Sequence, residues 1–232
     1  MCGRFTLAGA NPAELRARFP LGESVEIRER FNVAPGDEIL TVTVDDRTHP
    51  PGEPRGELLR WGLVPFWAKD EKAGYKMINA RLETIHERPG FRDARHCLII
   101  ADGFYEWQKL ESRKQPQWIT RADGEPFAFA GLWSTWRRPD GSQLRSCSII
   151  TTEAFGSIAH IHDRMPVILT PSGEEPWLHS DEPPRGVIEG ELKATPVGTA
   201  VNDARHDAPD CLDPPEPGAH AAEGGGSAAS LF

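Results

Sequence analysis

Cys2 follows Met1 in Met1-Cys2-Gly3-Arg4-Phe5. A side chain this small at the second position predicts removal of Met1 by an aminopeptidase. Cys2 would then carry an α-amine and a thiol on one residue. The amine titrates near ~7.7–8.0 and the thiol near ~8.5, so both keep a nucleophilic fraction at neutral pH. An aldehyde would meet the amine first and form an imine. The thiolate would then close a five-membered thiazolidine, and two nucleophiles on one residue give that second step a large effective concentration.

Three further groups suit chemistry. In Phe104–Lys109, the two-residue period of a strand puts Phe104, Glu106 and Gln108 on one face and Tyr105, Trp107 and Lys109 on the other. A carboxylate in such apolar company is either salt-bridged at an edge or an acid/base group with a raised pKa. His162, in His160-Ile161-His162-Asp163-Arg164-Met165-Pro166, precedes an apolar strand, and a histidine is the residue type best suited to acid/base work. The His-x-His pattern lacks a third ligand at an obvious spacing, so no metal and no cofactor is expected. Asn79-Ala80-Arg81 offers amide donors, an acceptor and a guanidinium fork that matches a phosphate; Arg4 and Arg164 offer the same fork. With Trp61, Phe66, Trp67 and Trp107 as flat faces, arginines interleaved with aromatics suit a single-stranded nucleic acid. The alternative is that the tryptophans build the core.

Short elements must position these groups. A first helix is expected over Pro12–Phe19, with Asn11 as N-cap and Pro12 in its first turn. Strands are expected at 39–44, 58–64, 97–101, 104–109, 127–133, 146–152 and 166–170, and short helices at 155–160 and 174–178. Strands do not alternate with long helices, which argues against a parallel βαβ sheet. The expected fold class is α+β: a single compact domain with a curved, barrel-like, mostly antiparallel β core flanked by short helices. Residues 45–57, with three prolines and two glycines, read as an exposed loop, and 213–232 as a disordered low-complexity tail after a domain spanning 1–212.

Composition closes off other classes. The chain has 232 residues, 38% hydrophobic and 26% charged, which is ordinary for a globular domain. No apolar run approaches the ~18 residues of a membrane span, and no secretory segment follows Met1. Cys2, Cys97, Cys147 and Cys211 form no Cys-x-x-Cys pair, so free thiols in a reducing cytoplasm are expected, with Cys97 and Cys147 as small buried hydrophobes. The net charge of -9 argues against a generic nucleic-acid binder, yet residues 60–95 hold eight Lys/Arg against five Asp/Glu. An anionic ligand would therefore meet a local basic surface.

Taken together, Met1-Cys2-Gly3-Arg4-Phe5, Phe31-Asn32-Val33-Ala34-Pro35, Trp61-Gly62-Leu63-Val64-Pro65 with Trp67, Asn79-Ala80-Arg81 with Glu83-Thr84, Gly103-Phe104-Tyr105-Glu106-Trp107 and His162-Asp163-Arg164-Met165-Pro166 resemble the SRAP family (SOS response-associated peptidase-like) over residues 2 to about 212. The resemblance implies a monomeric sensor of abasic sites in single-stranded DNA that cross-links to the ring-opened sugar through a thiazolidine, shielding the lesion in the DNA damage response. It makes Cys2 the nucleophile, Asn79 a positioner, and Glu106 and His162 the proton-handling groups. Arg4, Arg81 and Arg164 would hold phosphates, with Thr151 and Asn32 as further DNA-binding candidates, and Trp67 and Trp107 would support the bent strand. The competing reading is a thiol peptidase or autoprotease built on Cys2, His162 and Glu106. A third is a DNA-binding module in which Cys2 is incidental.

Overall fold

The structure, a computed structural model, describes residues 2–216 apart from 10, 46–51, 112, 180–183, 185–187 and 189–191. In chain order its elements are β1 (Phe5–Leu7), α1 (Pro12–Arg18), β2 (Arg30–Val33), β3 (Glu38–Thr43), β4 (Arg55–Trp61), β5 (Asn79–Arg81), α2 (Pro89–Arg92), β6 (Arg95–Ala101), β7 (Gly103–Lys109), β8 (Lys114–Arg121), β9 (Phe127–Arg137), β10 (Gln143–Glu153), β11 (Arg164–Pro166), β12 (Ile168–Leu169), α3 (Pro171–His179) and β13 (Leu192–Pro196). Short 3-10 turns join several of them.

Five strands close on themselves in the order β4-β3-β6-β9-β10, with β10 returning to β4. Only the β4–β10 contact is parallel, so the ring is a mixed barrel. Alternating residues fill its interior, among them Ile39, Trp61, Cys97, Ile99, Phe129, Trp133, Cys147 and Ile149. A methyl group on Gly131 would lie 2.8 Å from the Cys97 sulfur, so glycine is what lets β9 pass that crowded point. A second sheet, β13-β8-β7-β1-β2, lies against the barrel. Phe5 of β1 joins the two, with its ring 5.2 Å from that of Trp61 and 5.9 Å from that of Phe129.

Helix α1 forms as its sequence predicts: the Asn11 side chain accepts from the Ala13 N–H at 2.9 Å, and Leu15 and Phe19 are buried. The expected strands all form, with shifted ends. The strand at 58–64 stops at Trp61 because Gly62 turns the chain with φ +116°. That at 166–170 splits into β11 and β12 because Val167 bridges two strands, donating to the Ile150 carbonyl and accepting from the Ala130 N–H, both at 2.9 Å. The helix expected over 155–160 is only a three-residue 3-10 turn, Gly156–Ile158, and that at 174–178 widens to α3. The loop expected at 45–57 gives up Arg55–Glu57 to β4, where the Gly56 N–H donates to the Pro20 carbonyl at 2.6 Å; 46–51 lie outside the described residues. Strands β1, β2, β5, β8 and β13 escaped the sequence reading, being short or, like β8 with Pro116 and two glutamines, polar. Of the tail, Asp213–Glu216 are described, and the Asp213 carbonyl accepts from the Gly198 N–H at 2.8 Å; 217–232 lie outside the described residues. No helix among the described residues is long and apolar enough to cross a membrane.

One buried carboxylate anchors the strand that follows Cys2. Asp102, at the β6–β7 corner, accepts from the Thr6 hydroxyl at 2.5 Å and from the N–H groups of Ala8 and Gly9 at 2.6 and 2.7 Å. Asp102→Ala leaves these donors without their acceptor and is expected to cost about 2–4 kcal/mol of stability. Urea denaturation reads this as a lower midpoint at unchanged slope; a midpoint within error of wild type would show that water replaces the carboxylate.

Candidate active site

Strand β10 is longer than the barrel needs, and its surplus builds the site. Residues 143–149 pair with β9 inside the ring, whereas 149–151 pair with β5, setting Ile149 beside Asn79 and Thr151 beside Arg81. On its other edge Thr151 faces Pro166 and Glu153 faces Arg164. The route to β5 depends on glycine at two positions. A Cβ on Gly62 would lie 2.8 Å from the Gly74 carbonyl oxygen, and one on Gly74 would lie 2.4 Å from that of Gly62. The two backbones touch there, so the chain leaves β4, turns, and returns to the same edge of β10.

The second sheet delivers the other half. Phe5 pairs with Phe104 and the Tyr105 N–H donates to the Arg4 carbonyl at 3.0 Å, so the register carries the chain before β1 alongside Glu106. The predicted alternation holds: Phe104 joins Cys2 in the main core, whereas Tyr105 and Trp107 pack on the opposite face with Val197, Val201 and Cys211. Asn79 ties the two halves together, its Nδ2 donating to the Cys2 carbonyl at 2.7 Å. The Asn79 Oδ1 is buried with no hydrogen-bond partner.

Burial dominates the electrostatics. It pushes the Cys2 thiol far above its ordinary value; the Glu106 charge adds to this, and the chain's amino terminus and a backbone hydrogen bond from Arg4 oppose it. Glu106 is 3% exposed. Its pKa is raised chiefly by burial, against the pull of the terminal amine and His162. Cys2, Glu106 and His162 therefore share one electrostatic neighbourhood. The His162 Nδ1 lies 2.9 Å from the Arg164 backbone N–H, from which it can accept, and 2.7 Å from a carboxylate oxygen of solvated Asp163, to which it can donate.

The arginines differ in availability. Arg164 is held by Glu83, Nη1 to Oε1 at 2.7 Å and Nη2 to Oε2 at 3.0 Å, and donates to the Thr151 carbonyl at 2.7 Å. Thr151 is buried and orients Arg164 rather than facing solvent. Arg81 is exposed. Arg4 turns inward, donating to the Asn32 Oδ1 at 3.1 Å and the Val201 carbonyl at 2.7 Å. Asn32 is fully buried, and its Nδ2 serves the carbonyls of Val201, Asp203 and His206. Trp107 is half-buried with its Nε1 on the Asn202 Oδ1 at 2.7 Å, whereas Trp67 is 55% exposed beside exposed Phe66. Trp61 is a core residue, its Nε1 bound to the Ile78 carbonyl next to Asn79.

The fold thus gathers Cys2, Asn79, Glu106 and His162, with Thr151, Arg164 and Arg81 around the end of β10. Arg4, Asn32 and Trp107 instead pin the 200–206 segment. Sequence reading missed Glu83 as the partner of Arg164; its only signal was its place two residues after Arg81.

A family model described as SOS response associated peptidase (SRAP) matches residues 1–204. The chain belongs to the SRAP family. Among SRAP relatives, it is 39% identical over 228 residues to abasic site processing protein YoqW of Bacillus subtilis (strain 168), covering 92% of this chain and 99% of that one. It is 40% identical to YoaM of the same organism over 230 residues, covering 92% and 98%. Abasic site processing protein HMCES of Xenopus tropicalis is 33% identical over 189 residues, covering 66% of this chain and 56% of that longer one. A protein from Bacteroides thetaiotaomicron shares the fold with TM-score 0.78 at 23% identity, covering 92% of this chain and 99% of that one.

Because burial raises Glu106, the folded state favours its protonated form. That contribution is fully present below the unfolded carboxyl pKa of ~4.3 and is lost as pH rises through the higher folded value. Glu106→Gln has no such titration. The stability of wild type relative to Glu106→Gln is therefore expected to fall as pH rises from about 4 upward. Urea unfolding of both proteins across pH 4–8 reads the difference, and parallel pH profiles would contradict the raised pKa.

Proposed function

We propose that this SRAP protein processes abasic sites in single-stranded DNA by forming a covalent DNA–protein cross-link through Cys2, after removal of Met1. The observation that carries the reading is the pairing of a backbone-anchored Cys2, tied to Asn79 at 2.7 Å, with a buried carboxyl of raised pKa. The names of the Bacillus relatives point to the same class of lesion.

In this reading the Cys2 α-amine attacks the C1′ aldehyde of the ring-opened deoxyribose. The carbinolamine loses water to give an imine, with Glu106 supplying the proton that departs with the hydroxyl. The thiol sulfur then adds to the imine carbon, its proton passes to the nitrogen, and the thiazolidine closes. Closure consumes the imine that would otherwise allow β-elimination and strand cleavage. Asn79 fixes the Cys2 backbone, and His162 exchanges protons near the sugar hydroxyl or phosphate. Arg81 and Arg164 hold phosphates, and Thr151 orients Arg164. Trp67 offers an exposed ring for a base. Arg4, Asn32 and Trp107 act through the segment they pin. The protein would work as a monomer in the cytoplasm without a cofactor, and its affinity would depend on salt through the local basic surface.

The buried thiol favours this order over thiol peptidase chemistry. A cysteine protease needs a thiolate at the outset, and burial opposes one here. An amine-first route asks nothing of the sulfur until the imine is formed.

Intact-mass spectrometry of the full chain mixed with single-stranded DNA bearing one abasic site tests the proposal. The expected mass lacks Met1 and rises by the DNA less one water. Cys2→Ser and Cys2→Ala are expected to lose the heat-stable adduct, and Cys2→Ala to keep at most weak strand cleavage. Undiminished cross-linking by Cys2→Ala would sink the thiazolidine route. Separately, Glu83→Gln removes the carboxylate that occupies the Arg164 fork. It is expected to tighten single-stranded DNA binding at low salt about threefold to tenfold, up to ~1.4 kcal/mol. Weaker binding would mean that Glu83 serves DNA only by orienting Arg164.

A further inference from the structure

On the face of the second sheet that carries Tyr105 and Trp107, the 203–213 segment gathers Asp203, Asp207, Asp210 and Asp213 against a single Arg205. Within it a short turn, Pro209–Leu212, brings three different donors together. The His206 Nε2, the Asp210 Oδ1 and the Cys211 Sγ all lie within 4.8 Å of one another. His206 and Asp210 are in contact at 2.7 Å. The Cys211 thiol is buried and donates to the His206 carbonyl at 3.5 Å.

We propose that His206, Asp210 and Cys211 form a binding site for a divalent transition-metal ion of borderline softness, Zn²⁺ in the first place. One imidazole nitrogen, one carboxylate oxygen and one thiolate are a donor set that zinc accepts, with water completing a tetrahedron. Zn–N, Zn–O and Zn–S bonds of ~2.0–2.3 Å put tetrahedral ligands roughly 3.3–3.7 Å apart. The observed cluster reaches that spacing by opening the His206–Asp210 contact and drawing the sulfur inward. On binding, the His206 Nε2 proton, now directed at Asp210, moves to Nδ1, and the Cys211 sulfur gives its lone pair to the metal and its proton to solvent, so that a neutral ring releases one proton per ion. Asp203 is paired with Arg205 and Asp207 with Arg30, which leaves Asp210 and Asp213 to favour a cation; Arg4, near Cys211, is already tied to Asn32 and the Val201 carbonyl.

The surroundings give such an ion a purpose. The His206 carbonyl accepts from the Asn32 Nδ2 at 2.7 Å, and the Asp207 Oδ1 accepts from the N–H groups of Phe31 and Asn32 at 2.6 and 2.8 Å. A metal on 206, 210 and 211 would staple the segment that Arg4, Asn32 and Trp107 hold. The site is independent of the cross-linking reading.

The test is titration of the full chain, freed of metal by a chelator, with Co²⁺ and then Zn²⁺. Expected are one equivalent of Co²⁺ with a thiolate-to-cobalt charge-transfer band, release of one proton, and stoichiometric bleaching by Zn²⁺. Cys2→Ser is expected to keep the band, which separates this thiol from that of Cys2. Cys211→Ser is expected to lose it. Asp210→Asn, altered at an exposed side chain, is expected to bind at least about tenfold more weakly while its circular dichroism stays that of wild type. Three results overturn the site: no charge-transfer band at stoichiometric Co²⁺, a band that survives in Cys211→Ser, or unchanged affinity in Asp210→Asn. The Asp210→Asn result decides the matter if Cys211→Ser does not fold.

Discussion

Strand β10 has to belong to two structures at once. Through residue 149 it closes the barrel against β9 and β4; beyond that it is the rail on which β5 and β11 lie. Asn79, Arg81 and Arg164 reach Thr151 only because their short strands pair with those last residues. The parallel partnership with β5 follows from the chain leaving β4 at Gly62 and coming back along the same edge, with the Gly62 and Gly74 backbones in contact. Neither β5 nor β11, at three residues each, would persist without β10.

The second constraint is dryness. Cys2 and Glu106 sit where two sheets pack, and loss of water raises both acids. In the proposed cross-linking order, where an amine acts first and the thiol second, a carboxyl with a raised pKa helps as a proton donor and a protonated sulfur does no harm at the first step. The hydrogen bond from Asn79 to the Cys2 carbonyl restrains the backbone from which both nucleophiles would hang.

Behind the second sheet, a polar network works beside a small apolar cluster of Tyr105, Val197, Val201 and Cys211. Asn32 spends its amide on three carbonyls, Arg4 spends its fork on Asn32 and Val201, and the Tyr105 hydroxyl donates to the Phe31 carbonyl at 2.7 Å. Such a network holds the 200–212 segment, which is rich in aspartates and poor in large apolar side chains, against the sheet. The proposed metal site would strengthen the same attachment from the outer side.

Residue type and local period determined much by themselves. The capped helix α1, the face that Glu106 shares with Phe104, the burial of Cys97 and Cys147 and the apolar barrel strands were legible because each depends on neighbours within a few residues; the burial of Cys2 and Cys211 was not. The six motifs that resemble the SRAP family were legible for the same reason. Only the tertiary structure decided which arginines are free. Arg4, Arg81 and Arg164 look alike in sequence, yet one is turned inward, one is exposed and one is neutralised by Glu83, since a charge's partner is set by packing rather than by spacing. It also decided that Asn32 and Trp61 are internal supports, that β5 exists at all and β11 begins at Arg164, ahead of the expected strand, and that His206, Asp210 and Cys211 converge. Each of these rests on contacts between distant segments, and no local pattern records them.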